Sequence, residues 1–181
     1  MRVTVFVSLS FAYSDPRYTE QKAHDVLIEA VDRANAETDI PIELVISGDG
    51  NLRDELEKQI AECENSDRIH LLGLLETKEH VYKMMHETDI YAMPSRWEGF
   101  CVAALEAMGI GNACVFSDID EFTRPFEDVA RFHPVDDAKA LSHELMDLTN
   151  SPKEREKLEN SARGLVEKSY TISDCAEEYF E

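Results

Sequence analysis

Short apolar runs alternate along the chain with longer segments in which apolar residues recur every three or four positions. A short apolar run is typical of a buried strand, and the longer spacing is typical of an amphipathic helix with one face in the core. Strands are therefore predicted over residues 3–9, 42–46, 69–72, 90–93, 113–116 and 129–132. Helices are predicted over residues 22–37, 77–87, 100–110, 121–126 and 136–148, with three more that start after Asn51, at Ser151-Pro152 and after Ser173.

The repeated strand–helix alternation predicts an α/β fold, a Rossmann-like parallel sheet with helices on both faces. Its connections are expected to be right-handed. Ligands of such sheets bind beyond the carboxyl ends of the strands, near the point where the strand order reverses. The loop that leaves strand 90–93 at Pro94 lies at that edge, so its side chains are the first candidates for a binding site.

The chain is strongly acidic, with 38 Asp and Glu against 18 Lys and Arg and a net charge of −20 among 181 residues. This balance argues against nucleic acid as a partner and against direct contact with an anionic membrane, because both need clusters of Lys and Arg. Two interpretations of the acidity stay open. One is a protein of a high-salt cytoplasm, where salt screens the self-repulsion, and the other is an acidic surface in an ordinary organism.

No apolar run is long enough to span a bilayer and no signal peptide opens the chain, which predicts a cytoplasmic protein. The four cysteines are scattered, as expected for buried thiols in a reducing compartment, at Cys63, Cys101, Cys114 and Cys175. Neither these cysteines nor the six histidines have the spacing of metal ligands. We therefore predict no metal site and no cofactor.

Two glutamates eight positions apart, Glu98 and Glu106, flank a predicted helix start, with Gly99 and Phe100 directly after the first. If residues 100–110 form that helix, Glu98 lies at its N-terminus and Glu106 about two turns inside. The N-terminus offers free N–H groups and a partial positive charge to an anion, and the flanking carboxylates accept hydrogen bonds from hydroxyls. This arrangement suits a nucleotide diphosphate-sugar. The alternative is two surface glutamates, but Glu106 stands in an apolar run, where a charge needs a partner such as a hydroxylated ligand.

Residues 94–108 resemble the Glu-x7-Glu signature of the family 4 (group 1) retaining glycosyltransferases, which have the GT-B fold. The resemblance implies that Glu98 meets the hydroxyls of the donor sugar in catalysis and that Glu106 meets those of the ribose. It also implies that the backbone at the helix start faces the sugar and the diphosphate, at Gly99, Phe100, Cys101 and Val102. The family often has glycine where Cys101 stands, a change that keeps the backbone donor and alters the room near the sugar.

Lys22 is the second catalytic candidate. Residues 21–30 resemble the family's Lys-Gly-x-Asp-x-Leu-Ile-x-Ala stretch, whose lysine neutralises the leaving diphosphate. An ammonium group at a helix start stabilises the negative charge that gathers there, whereas the alternative is a surface lysine. The family's arginine in a Gly-Arg pair is missing after the first strand, where this chain has Ser8-Leu9-Ser10, and Arg17 of the longer loop is the candidate replacement.

Weaker matches extend the resemblance over nearly the whole chain, at residues 47–56, 71–75 and 170–179. The first looks like the family's Gly-Asp-Gly-Pro-Leu-Arg segment, although a turn followed by a helix that Asn51 caps is the favoured interpretation. The second resembles a segment whose trailing residue lies near the nucleobase, which implies a donor contact for Leu75.

Enzymes of this family have two Rossmann-like domains with the active site between them, and the resemblance covers only the C-terminal, donor-binding half. The chain is therefore expected to be one donor-binding domain, residues 3–181, whose N-terminal acceptor domain is absent and which is inactive alone. The implied reaction of the parent enzyme is transfer of a sugar from a nucleotide diphosphate-sugar to a hydroxyl acceptor with retention, without a bound metal. A peripheral attachment of the parent enzyme to a membrane is left open.

Two other interpretations compete with a half-enzyme. The chain is either a stand-alone nucleotide-sugar binding or interaction module without catalysis, or a non-glycosyl Rossmann-like domain such as half of a sugar-nucleotide epimerase. The last of these predicts that Glu106→Ala leaves ligand binding intact.

Overall fold

The computed structural model describes residues 2–8, 18–99 and 101–170, and these contain a six-stranded sheet. Its strands are β1 (Val3–Ser8), β2 (Ile42–Ser47), β3 (Ile69–Gly73), β4 (Ile90–Met93), β5 (Ala113–Ser117) and β6 (Arg131–His133). All neighbouring strands are parallel, in the order β3-β2-β1-β4-β5-β6. The described helices are α1 (His24–Glu37), α2 (Arg53–Glu62), α3 (Lys78–His86), α4 (Val102–Ile110), α5 (Asp120–Phe126), α6 (Ala138–Asn150) and α7 (Pro152–Ser169).

The strand order reverses at the centre of the sheet, where β1 lies beside β4. From β1 the chain proceeds outward through β2 to β3, and from β4 it proceeds in the opposite direction through β5 to β6. The order of the strands therefore reverses at β1 and β4, and the carboxyl ends of these two strands are where a ligand of such a sheet is expected. The predicted Rossmann-like parallel sheet is confirmed.

Side chains of β1 alternate between two hydrophobic cores, one on each face of the sheet. Val3, Val5 and Val7 belong to the core that also contains the buried residues of α1 and α6. Phe6 belongs to the opposite core, with the buried residues of α3, α4 and α5. This alternation is what a strand covered by helices on both faces requires.

Two predicted helix starts are confirmed by their capping hydrogen bonds. The Thr77 hydroxyl accepts from the His80 N–H at 3.3 Å, and the Asp137 carboxylate accepts from the Ala140 N–H at 2.8 Å. The predicted cap at Asn51 is wrong, because α2 begins one residue later, with Leu52 at the N-cap and no side-chain cap.

Three predicted boundaries differ from the structure. The helix predicted from residue 22 begins instead at His24, because Ala23 has a left-handed backbone (φ 48°, ψ 41°) that separates it from a short 3-10 turn, Glu20–Lys22. The strand predicted from residue 129 begins at Arg131, since the preceding two N–H groups bond back to the Phe126 carbonyl. The helix of the glutamate motif begins at Val102.

The predicted helix after Ser173, Cys175, Arg17 and Phe100 lie outside the described residues. Among the helices that the structure does describe, none has the length and apolar character needed to cross a bilayer.

Candidate functional site

Lys22, in the 3-10 turn before α1, meets Glu98, in the segment after β4. The Lys22 Nζ lies 2.6 Å from the Glu98 Oε1, and only 13% and 7% of the two side chains are exposed. Residues 76 positions apart in sequence are thus paired near the point where the strand order reverses. Because both charges are largely withdrawn from water, each depends on the other for compensation.

Protein groups hold Glu98 from two further sides. The Ser95 hydroxyl donates to the same Oε1 at 2.6 Å, and the Gln21 amide approaches Oε2 at 3.5 Å. The Gln21 amide also donates to the Trp97 carbonyl at 2.9 Å. Oε1 therefore already accepts two short hydrogen bonds, whereas among the described residues Oε2 has one long contact.

The loop after β4 is itself fixed to neighbouring elements. Pro94 follows the strand, Ser95 is fully buried, and its carbonyl accepts from the Ser117 hydroxyl at the end of β5. The next residue, Arg96, donates its N–H to the Gln21 carbonyl at 2.8 Å. These two bonds fix the peptide unit between Ser95 and Arg96, two residues before Glu98.

Arg96 is a residue that the sequence analysis missed. Its Nη2 pairs with the Asp25 carboxylate at 2.8 Å, its Nε pairs with that of Asp136 at 2.6 Å, and its Nη1 donates to the Glu20 carbonyl. The only available signal was an arginine next to the glutamate motif in a chain with few basic residues.

Glu106 has a weaker environment than Glu98. It is half-exposed, and its Oε1 accepts from the Tyr82 hydroxyl of α3 at 2.8 Å. That hydrogen bond raises the pKa of Tyr82. Sequence reasoning named a hydroxylated ligand as the expected partner of Glu106; among the described residues its partner is a protein phenol that the sequence analysis did not find.

The start of α4 changes the expected spacing of the motif. Because the first helical residue is Val102, Glu106 lies on the second turn, nearer the N-terminus than predicted. Gly99 is exposed in the preceding loop, and Cys101 occupies the N-cap without a capping hydrogen bond. The first turn carries no acidic residue, so within the described residues its N–H groups and partial positive charge have no carboxylate of their own helix beside them.

The Cys101 thiol points to the interior and lies 3.1 Å from the Met93 sulfur. Burial raises the pKa of Cys101 to about 11, and the negative charge of Glu98 acts in the same direction. The thiol is therefore neutral at pH 7 and adds no negative charge near the start of α4.

His24 is buried directly after the turn that carries Lys22. Its ring makes an edge-on contact with Tyr18 at 5.3 Å, and within the described ranges neither ring nitrogen has a hydrogen-bond partner. Burial and, less strongly, the charge of Lys22 lower the pKa of His24 to about 4. The ring is therefore neutral at pH 7 and does not compete with Lys22 for an anion.

Leu75 lies beyond the carboxyl end of β3, half-buried at the margin of the core that α3 and α4 share. Leu74 beside it is exposed, and so is Trp97 in the loop after β4. Of the residues predicted for the site, Glu98 is thus brought together with Lys22, and Glu106 is brought together with Tyr82, which was not predicted. Among residues 2–8, 18–99 and 101–170 no cluster of three or more metal-ligating side chains occurs.

Comparison with known proteins gives one matching family, described as glycosyl transferases group 1, over residues 10–165. The chain is 32% identical over 145 residues to the MMP alpha-(1->4)-mannosyltransferase of Mycolicibacterium hassiacum, which covers 78% of this chain and 34% of the relative. The chain spans about a quarter to two fifths of the length of the curated relatives it matches.

Two solved structures share the fold. The TarM protein of S. aureus, crystallised in complex with UDP among other ligands, has a TM-score of 0.85 at 19% identity and covers 97% of this chain and 34% of its own. The C-terminal domain of the glycosyl transferase group 1 family protein LpcC from Francisella tularensis has a TM-score of 0.81 at 20% identity, with 94% and 87% covered. At these identities the likeness shows the fold.

Proposed function

We propose, since the chain belongs to the glycosyl transferases group 1 family, that its sheet edge binds a nucleotide diphosphate-sugar as the donor half of a sugar-transferring enzyme. The observation that carries the proposal is the buried Lys22–Glu98 pair at the reversal of the strand order. A cation for a diphosphate and a carboxylate for sugar hydroxyls lie there side by side, which is the chemistry that such a donor needs.

In the proposed reaction the bond between the anomeric carbon and the diphosphate oxygen breaks, and a bond to the acceptor oxygen forms on the same face. The acceptor proton passes to the leaving phosphate, and the configuration is retained. Lys22 and the N-terminus of α4 stabilise the charge that collects on the diphosphate. Glu98 orients the sugar through Oε2, because Lys22 and Ser95 already occupy Oε1.

Glu106 is proposed to accept hydrogen bonds from the ribose. The Tyr82 hydroxyl occupies its Oε1, so Oε2 is the oxygen available to a ligand. Leu75, beyond the end of β3, is proposed to contact the nucleobase, and the backbone of Gly99, Cys101 and Val102 the sugar and the diphosphate. The same role for the Phe100 backbone stays a prediction from the sequence.

The remaining parts of the proposal concern the rest of the enzyme. The acceptor is proposed to bind mainly to an N-terminal domain, so that this chain alone binds donor without turnover and works without a metal. The net charge of −20 supports function in a high-salt cytoplasm, where the repulsion between carboxylates is screened.

The test is a titration of UDP-, GDP- and ADP-sugars into the chain, followed by ligand-observed NMR at low and at multimolar KCl. Lys22→Met is expected to weaken the binding of the preferred nucleotide about 10- to 100-fold, as for loss of a charge-assisted hydrogen bond. Lys157→Met is the matched control, because Lys157 is an exposed lysine on α7. Unchanged affinity in Lys22→Met, or no saturable binding at either salt concentration, would refute the proposed donor site.

A further inference from the structure

Arg96 connects three segments at the carboxyl edge of the sheet. Its backbone and side chain bond to the carbonyls of Gln21 and Glu20 in the 3-10 turn, and its guanidinium pairs with Asp25 of α1 and with Asp136 in the loop after β6. Only 22% of the side chain is exposed. Each of the three guanidinium nitrogens therefore has its own acceptor, in three different directions.

These contacts surround Lys22. Glu20 and Gln21 precede it directly, and Asp25 follows it by one turn, so Arg96 holds the chain on both sides of the lysine. Arg96 also stands two residues before Glu98, in the same loop. A single side chain thus links the segment that carries the cation to the segment that carries the carboxylate.

Two residues close to Arg96 have a left-handed backbone, one near the 3-10 turn and one in the loop after β6. Ala23 and Asp136, with φ values of 48° and 60°, are the two non-glycine residues with positive φ in the described chain. Ala23 directly follows the 3-10 turn whose carbonyls accept from Arg96, and Asp136 is bonded to Arg96 directly. Such conformations are strained for a residue with a side chain and persist where surrounding contacts determine them. Arg96 contacts Asp136 itself and residues on both sides of Ala23 in the chain, so its contacts are part of this surrounding.

We propose that Arg96 is a positioning residue that sets the Lys22 ammonium against Glu98 and, in the donor complex, against the diphosphate. The second part rests on the proposed function; the first concerns the protein alone. Lysine cannot replace Arg96, because one ammonium does not reach acceptors in three directions from a planar fork.

The ligand-free test is the NMR signal of the Lys22 NH3+ group in 15N-labelled protein. Buried pairing with Glu98 is expected to slow proton exchange enough to give a resolved signal, which disappears in Glu98→Gln. The signal is expected to be lost or broadened in Arg96→Met and Arg96→Lys and retained in Arg124→Met, whose arginine pairs with Asp120 on the exposed side of α5. A signal unchanged in both Arg96 variants would overturn the proposal whether or not a nucleotide binds.

The ligand test uses UDP, GDP and ADP in a double-mutant cycle with Lys22→Met. Alone, Arg96→Met is expected to weaken the diphosphate that binds best by about tenfold, the scale of one misplaced charge-assisted hydrogen bond. In the Lys22→Met background the same change is expected to have no further effect, because Arg96 acts through Lys22. A purely structural role predicts a lower unfolding midpoint with unchanged affinity in the folded protein, and a direct contact with phosphate predicts additive losses; either result would overturn the proposal.

The two proposals fail separately. If Lys22→Met leaves nucleotide affinity unchanged while Arg96→Met removes the Lys22 signal, the donor site is wrong and the positioning of Lys22 stands. If Lys22→Met abolishes binding and Arg96→Met changes neither signal nor affinity, the donor site stands and Arg96 has no positioning role.

Discussion

The two glutamates of the motif lie in different environments although they are eight residues apart. Glu98 is nearly buried, and its carboxylate contacts Lys22, Ser95 and Gln21. Glu106 is half-exposed and has one hydrogen bond, from Tyr82. The first carboxylate is therefore oriented before any ligand arrives, whereas the second is free to adjust to one. The spacing in the sequence does not distinguish the two glutamates, whereas the tertiary contacts show that only Glu98 is held by several protein groups.

The largest expected effect distinguishes the two carboxylates by their contribution to stability. Glu98→Gln leaves the Lys22 charge largely buried without a counter-charge, so the free energy of unfolding is expected to fall by about 3 kcal/mol. Glu106→Gln replaces the charged acceptor of one hydrogen bond with a neutral acceptor, and it is expected to change the free energy of unfolding by less than about 1 kcal/mol. Urea unfolding of both variants measures the difference. Equal losses would mean that the two sites are not as different as their contacts indicate.

The pH dependence of stability tests a second buried group near the Lys22–Glu98 pair, His24. The pKa of His24 in the folded protein, about 4, is below the ordinary value of 6.5, so the unfolded chain binds the proton more strongly. The stability that neutral His24 contributes is complete above pH 6.5 and is lost as the pH falls to about 4, by about 3 kcal/mol in total.

His24→Phe keeps a ring against Tyr18 and is expected to lack this loss between pH 6.5 and 4. The raised pKa values of Glu144 and Glu159 act with the opposite sign at low pH, so the informative quantity is the difference between variant and wild type in urea unfolding at each pH. His80→Gln, which changes an exposed histidine, is the control and is expected to follow wild type. A pH profile of His24→Phe parallel to that of wild type would contradict the burial argument.

The smallest expected effect concerns Glu106, the carboxylate that is free to adjust to a ligand. Tyr82→Phe removes the hydrogen bond to Glu106 and keeps the ring, so the affinity for a ribonucleotide is expected to fall about two- to tenfold, the scale of one neutral-donor bond. The affinity for the 2′,3′-dideoxynucleotide is expected to stay the same, because it lacks the hydroxyls that Glu106 would accept. Calorimetric titration of both nucleotides into both proteins measures this, and equal losses for the two would exclude a role through the ribose.

Much of the fold follows from local patterns. The apolar runs predicted six strands near their observed positions, and Thr77 and Asp137 predicted helix starts because capping depends on residues three positions apart. Patterns failed where backbone geometry decides. The helix is interrupted at Ala23, where no glycine in the sequence indicates a left-handed backbone. Asn51 has a side chain that can cap a helix, but it stands one residue before the actual N-cap of α2.

The candidate site could be predicted only in part. Lys22 was predicted at a helix start and Glu98 in the loop after a strand, and the parallel order of the strands brings such positions to the same edge of the sheet. Arg96 was not found, because its partners include Asp25 and Asp136, 71 and 40 positions away. Tyr82 was missed for the same reason, since its contact with Glu106 exists only once α3 and α4 pack side by side. Contacts of this kind depend on the packing of whole elements.

Trp97 makes the site observable without a label. It is the one tryptophan of the chain, and 54% of it is exposed. Its carbonyl accepts a hydrogen bond from Gln21, so the bonded residues directly precede Glu98 and Lys22, which form the ion pair. Excitation of indole at 295 nm therefore gives emission from a single position of the molecule. A change in the wavelength or intensity of this emission reports a change in the surroundings of the Lys22–Glu98 pair, and no signal from a second tryptophan has to be subtracted.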